Sequence, residues 1–161
     1  MSLQSEKRPA PSETLDNELR SFSFEELHLG LRAVQVRTVQ DSDVVAFAEI
    51  SGDNNPIHLS EAYAATTRFG GRIAHGLYVA SLISAVLGTK LPGPGAVYRS
   101  QMLNFLAPVR IGDAVTVTVE VTKLIPEGRK VHLHCEAVVD GKPVLEGEAI
   151  VSLPPQPRAV T

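Results

Sequence analysis

One stretch governs what this chain can fold into. From Gly76 to Gly88 it reads GLYVASLISAVLG, and no charge follows until Lys90. A helix over that stretch, from about His75 to Gly88, is apolar on every side, so it must be surrounded by protein rather than lie on a surface. It falls short of the roughly 20 apolar residues that cross a bilayer, as does every other apolar run in the chain. Gly76, Ala80, Ser84 and Gly88 recur every four positions along it, a stripe of small residues that permits close approach.

The second half of the chain supplies the cover. Val115, Val117, Val119 and Val121 alternate with Thr116, Thr118, Glu120 and Thr122, and Val131, Leu133, Cys135, Ala137 and Val139 alternate with His132, His134 and Glu136. Period-two alternation of this kind marks strands with one buried and one wet face. Pro126-Glu127-Gly128 and Asp140-Gly141 fall between such runs as turns, the second a hairpin signal. Strands at Ala96–Phe105 and Val144–Leu153 complete a meander, and Leu31–Thr38 adds one more. Ahead of the apolar helix, Thr38 with Asp41 can cap a helix whose face is Val44, Phe47, Ala48 and Ser51, and Gly52 stops it. The bend SGDNNPIH follows, then a short helix from Ser60 through Thr67, ended by Gly70-Gly71. The prediction is an α+β architecture, an antiparallel sheet curled around one central helix.

Composition fits this reading and narrows the function. The chain has 161 residues, 43% hydrophobic and 20% charged, enough for one globular domain. Residues 1–20 and 154–161 are polar or proline-rich and are expected to be tails, leaving 21–153 as the domain. A net charge of −3 does not point to a nucleic-acid partner, and nothing points to a membrane. Cys135 is the only cysteine, which excludes an intrachain disulfide and suits a reducing compartment. With no signal-like apolar core near the start, the expected location is the cytoplasm.

The chemistry concentrates in Ser51–His58. Asp53 and His58 lie five residues apart, and Asn54, Asn55 and Pro56 between them favour an irregular, turn-like backbone. A rigid bend of that length could aim a carboxylate and an imidazole at one small volume, which is what polarising a water for addition requires. Spacing alone fits a turn aspartate and a structural histidine better. His75 could act on substrate, although a histidine that begins a helix more often bonds nearby backbone. His132, His134 and Glu136 share a strand face and resemble a metal site, yet that face is the wet one. Cys135, on the buried face, reads as packing. Arg68, Arg72 and Lys90 could meet the phosphates of a cofactor-like ligand, or could be plain surface charge.

Taken together and in this order, SGDNNPIH, IAHGLYVASLISAVLG, LPGPGAVYRSQMLNFLAPVRIGD and VTVTVEVT resemble the MaoC-like family of (R)-specific enoyl-CoA hydratases, over about residues 30 to 153. The resemblance implies a hot-dog fold, a homodimer or higher even oligomer, and an acyl-CoA or acyl-carrier-protein thioester as substrate. It implies hydration of a trans-2-enoyl thioester, or the reverse dehydration, with no metal or other cofactor, coenzyme A being part of the substrate. By position it makes Asp53 and His58 the catalytic pair. It makes Gly76 the residue whose backbone N–H binds the thioester oxygen, and Ser84 a polar residue of the site. Asn55 and His75 join Ser84 as candidate substrate-binding residues. A donor at a helix N-terminus suits a developing oxyanion, and glycine lets substrate come close. Two rivals are a thioesterase, since the same fold serves that chemistry, and a non-catalytic acyl-thioester binding module.

Overall fold

The structure is a computed structural model in which residues 19–155 are described. The expected tails lie outside the described residues, apart from residues 19–20 and 154–155 at their inner ends. Arg20, at the inner end of the first, donates its N–H to the Thr89 carbonyl at 2.8 Å. A single 3₁₀ turn, Phe24–Glu26, leads into β1 (Arg32–Thr38), α1 (Asp41–Ser51), α2 (Pro56–Leu59), α3 (Glu61–Ala65) and α4 (Gly76–Thr89). Four strands follow: β2 (Val97–Phe105), β3 (Ala114–Ile125), β4 (Lys130–Val139) and β5 (Lys142–Ser152).

The strands form one antiparallel five-stranded sheet in the order β1-β3-β4-β5-β2. The alternation read from the sequence holds residue by residue. Val115, Val117, Val119 and Val121 are at most 1% exposed, and Val131, Leu133, Cys135 and Ala137 are wholly buried. These side chains face α4, whose Tyr78, Val79, Leu82, Ile83, Val86 and Leu87 fill the concave side. Asp140 and Gly141 take positive φ of 49° and 75°, the backbone a two-residue hairpin of primed type needs, and so join β4 to β5.

Three expectations need correcting. Only β3-β4-β5 is a meander. β2 leaves sequence order and pairs with β5 at the far edge, because the chain passes along α4 before it reaches the sheet again. The first helix is capped by Gln40 with Asp43 in a reciprocal capping box, while Thr38 stays in β1 opposite Ala114. The bend does not run unbroken to His58: Pro56 opens a helical turn with Asn55 as its side-chain cap, and the Ser60-capped helix ends at Ala65. Within this single chain the sheet covers one side of α4. Leu77 is 61% exposed, and Ser81, Ser84 and Gly88 on the same face are exposed too. A sheet that wraps one side of a helix leaves the other to be covered by something else. Among the described residues, no helix is long and apolar enough to cross a membrane.

Candidate active site

The site is built where α1 ends. Gly52 closes α1 in the left-handed conformation, φ 77°, which glycine adopts without strain. That turn throws Asp53 clear of the helix. Its N–H donates to Ser51 Oγ, and its own Oδ1 accepts from the Asn55 N–H at 3.2 Å. Asn55 Oδ1 then accepts from the Ile57 N–H, starting α2. Proline at the first helical position lacks only an N–H that would go unused there. One turn of helix later comes His58, 8% exposed.

Two imidazoles are set by the extended segment that precedes α4. His58 Nδ1 lies 2.8 Å from the Ile73 carbonyl. A carbonyl only accepts, so Nδ1 carries the proton and Nε2 keeps its lone pair. Arg72 reinforces the contact, donating from Nε to the His58 carbonyl and pairing through its guanidinium with Asp41. Two residues after Ile73, His75 is 2% exposed and donates from Nε2 to the backbone carbonyl of Asp53 at 3.0 Å. The His75 ring stacks on that of His58, centroids 3.8 Å apart, and also meets the Phe47 ring at 4.9 Å. The Ala74 N–H between them bonds the Val109 carbonyl, anchoring the segment to the chain ahead of β3.

Electrostatics favour a neutral His58. Burial pushes its pKa below the ordinary imidazole value, and nearby His75 pushes the same way, while the Ile73 carbonyl and Asp53 oppose. Asp53, His58 and His75 each present an atom within 4.8 Å of the others. Among the described residues no other set of three such groups lies so close. A divalent cation would be offered an imidazole nitrogen from each histidine and one carboxylate oxygen, and a water would meet the same groups as base and acceptor.

These groups open onto a cavity of about 470 Å³, within the range of small-molecule sites. Asp53, His58, His75 and Gly76 line one end, and Leu77, Val79, Phe105, Leu106, Pro108, Val144 and Leu145 form an apolar wall. Gly76 and Leu77 open α4, so their N–H groups have no acceptor within the helix. A Cβ on Gly76 would stand 2.7 Å from the Phe105 ring. Glycine therefore leaves the Phe105 ring room to lie against the helix start.

The sequence-derived residues divide accordingly. Asp53, His58, Gly76 and His75 come together. Asn55 caps α2 rather than lining the cavity. Ser84 lies on the exposed face of α4, outside the cavity of a single chain. Arg68 lines the cavity with its guanidinium 4.8 Å over the Phe69 ring. Arg72 is spent on Asp41 and His58, and Lys90 lies at the opposite end of α4, in a groove with Arg20 and Arg32. His132 bonds Glu148 at 3.1 Å, and Cys135 is buried, its thiol pushed up to about 11 by that burial. The apolar wall was missed. The run Phe105-Leu106-Ala107-Pro108 at the end of β2 was its signal, since apolar residues past a strand's end need a reason.

Comparisons with known proteins converge. Residues 26–140 match the MaoC like domain family. The chain is 61% identical over 142 residues to the 3-hydroxybutyryl-CoA dehydratase of Methylorubrum extorquens, covering 88% of this chain and 90% of that one. It is 53% identical over 131 residues to the (R)-specific enoyl-CoA hydratase of Rhodospirillum rubrum, covering 81% and 91%. The solved structure of the (R)-hydratase from A. caviae involved in PHA biosynthesis superposes with a TM-score of 0.79 at 42% identity, over 81% of this chain and 99% of that one.

Proposed function

The chain belongs to the MaoC-like family, and from that premise we propose that it hydrates a trans-2-enoyl-CoA to the (R)-3-hydroxyacyl-CoA and catalyses the reverse dehydration. The observation that carries the proposal is the meeting of the Asp53 carboxylate and a buried imidazole with an available lone pair at the free N-terminus of α4. In this reading a water is held between Asp53 and His58 Nε2. Its oxygen bonds the β-carbon as the C=C π pair shifts towards the α-carbon and the thioester oxygen. The Gly76 N–H, at the positive end of α4, stabilises the charge on that oxygen. The proton released by the water returns to the α-carbon through the same two residues, so atoms balance without an oxidant, a metal or any other cofactor.

The 3-hydroxybutyryl-CoA relative at 61% identity supports a short acyl chain carried on coenzyme A. The uncovered face of α4 and the exposed apolar residues of the β2 edge, among them Met102 and Phe105, each 55% exposed, support a homodimer. One buried thiol suits the cytoplasm.

The test is the purified chain, dialysed against EDTA, mixed with crotonyl-CoA. Loss of the conjugated-thioester absorbance, an (R)-3-hydroxybutyryl product by chiral chromatography, and a scattering mass of twice the 17.3 kDa chain are expected. Release of free thiol would identify a thioesterase, tight binding without turnover a binding module, and an (S) product would overturn the assignment.

A further inference from the structure

We infer that His75 is a positioning residue for the hydration chemistry, acting through its Nε2 hydrogen bond to the backbone carbonyl of Asp53; this rests on the reading of Asp53 and His58 given above.

Asp53 sits in an exposed loop whose own hydrogen bonds are all short-range. Ser51 Oγ holds its N–H, the Asn54 N–H bonds the Gly52 carbonyl, and the Asn55 N–H bonds its carboxylate. Contacts of that span shape a turn but cannot place it against the rest of the protein. Among the described residues, the hydrogen bond that reaches Asp53 from elsewhere in the chain is the one from His75, 22 residues on. The donor is itself fixed. The His75 ring is 2% exposed, between His58 and Phe47, on a segment whose next residue starts α4 and whose previous one is bonded to Val109.

The same short segment therefore sets both members of the pair. Ile73 orients His58 through its carbonyl, and His75, two residues on along extended backbone, fixes Asp53 through its ring. Their separation follows from the rise of the backbone between Ile73 and His75, not from the loop that joins them in sequence. His75 Nδ1 is buried without a partner. A polar atom left this way costs stability, and a ring of carbon alone would avoid that cost, so the Nε2 donor is the feature that phenylalanine lacks. His75 was expected at sequence level to touch substrate or to bond nearby backbone. It does bond backbone, and the backbone it bonds belongs to Asp53.

The experiment compares wild type, His75→Phe, His75→Gln and Asp53→Asn with crotonyl-CoA, reading kcat and KM separately. Phenylalanine keeps the ring and the stack but loses the N–H. Glutamine places an N–H the same number of bonds from the backbone as Nε2. In His75→Phe, kcat should fall by up to the roughly 10²-fold that a misplacement of about 1 Å costs, with KM changing much less, and His75→Gln should recover most of the loss. Hydrogen exchange should quicken at the amides of residues 52–55 in His75→Phe and slow again in His75→Gln. Should the phenylalanine variant fail to fold, His75→Asn, whose N–H falls one bond short, takes its place with the same expectation. A folded His75→Phe with wild-type kcat, or a loss that glutamine does not relieve, overturns the inference. If that happens while Asp53→Asn is inactive, the pair stands and only the role of His75 falls. If Asp53→Asn keeps full turnover, the pair is wrong and the role of His75 goes with it.

Discussion

Replacing Gly76 separates a backbone donor from the space around it. Both alanine and proline add a Cβ, and at this position it would come within 2.7 Å of Phe105 Cε1. Phe105 is 55% exposed, so its ring can turn aside, and the steric disturbance is common to the two variants. Proline alone removes the N–H. The backbone accepts it: His75 has φ −60° and ψ 134°, the extended geometry favoured before proline, and Gly76 is the first helical residue, where proline is tolerated. The ratio of kcat for Gly76→Ala to kcat for Gly76→Pro therefore isolates the donor. Loss of one oxyanion donor typically costs about 10²–10³-fold. The Leu77 N–H, which also has no acceptor within the helix, can take part of the charge, so the lower end, near 10²-fold, is expected. The assay is bleaching of the conjugated thioester with crotonyl-CoA, with circular dichroism to verify folding. A folded proline variant as fast as the alanine variant would place the oxyanion donor elsewhere.

Two further outcomes follow from the Asp53–His58 pair. Asp53→Asn and His58→Gln should each lower kcat by about 10²–10⁴-fold, and the double variant should be little worse than the poorer single one, since groups acting on one water are non-additive; multiplicative losses in a double-mutant cycle would rule out the shared water. Burial holds the pKa of His58 below its ordinary 6.5, so Nε2 keeps its lone pair as pH falls through 6.5 and loses it only lower down. The acid limb of kcat/KM should have its midpoint below pH 6.5 and should move lower still in Asp53→Asn, where the pull that raises it is gone; a midpoint at or above 6.5 would mean that another group controls the limb.

How much of this fold could be read in advance depends on whether the information was local. The buried faces of β3 and β4 are, because alternation depends on neighbours two residues apart. So are the stop at Gly52 and the hairpin at Asp140-Gly141, where positive φ selects residue type. Strand order is not local. Nothing in Val97–Phe105 says that it pairs with Lys142–Ser152 rather than with the strand after it, and its exposed apolar side chains blur the period. At Pro56 the mistake was physical. Proline was taken to extend the irregular bend, but with Asn55 ahead of it as a cap it is a good first residue for a helix. That turn is what carries His58 inward. The all-apolar character of α4 was read as a helix surrounded by protein, and its own sheet supplies one side of that cover.

The candidate site shows a deeper limit. Residue type and spacing made convergence of Asp53 and His58 possible, and the family resemblance was what singled them out. Five residues of loop fix how far apart two side chains can be, not where they point. Direction comes from partners outside the loop: the Ile73 carbonyl on His58 Nδ1, and the His75 ring, whose Nε2 donates to the Asp53 carbonyl. Every residue has a carbonyl, so the residue type at position 73 carries no mark of that role. Gly76 was singled out by the family resemblance, and the structure adds that it starts α4 and lines the cavity. His75 was half legible, as an imidazole that must bond something. What its sequence position could not convey is that the something is the backbone of Asp53, 22 residues earlier. The chemistry of the site is thus written in side chains, and its geometry in backbone groups that only the fold brings within reach.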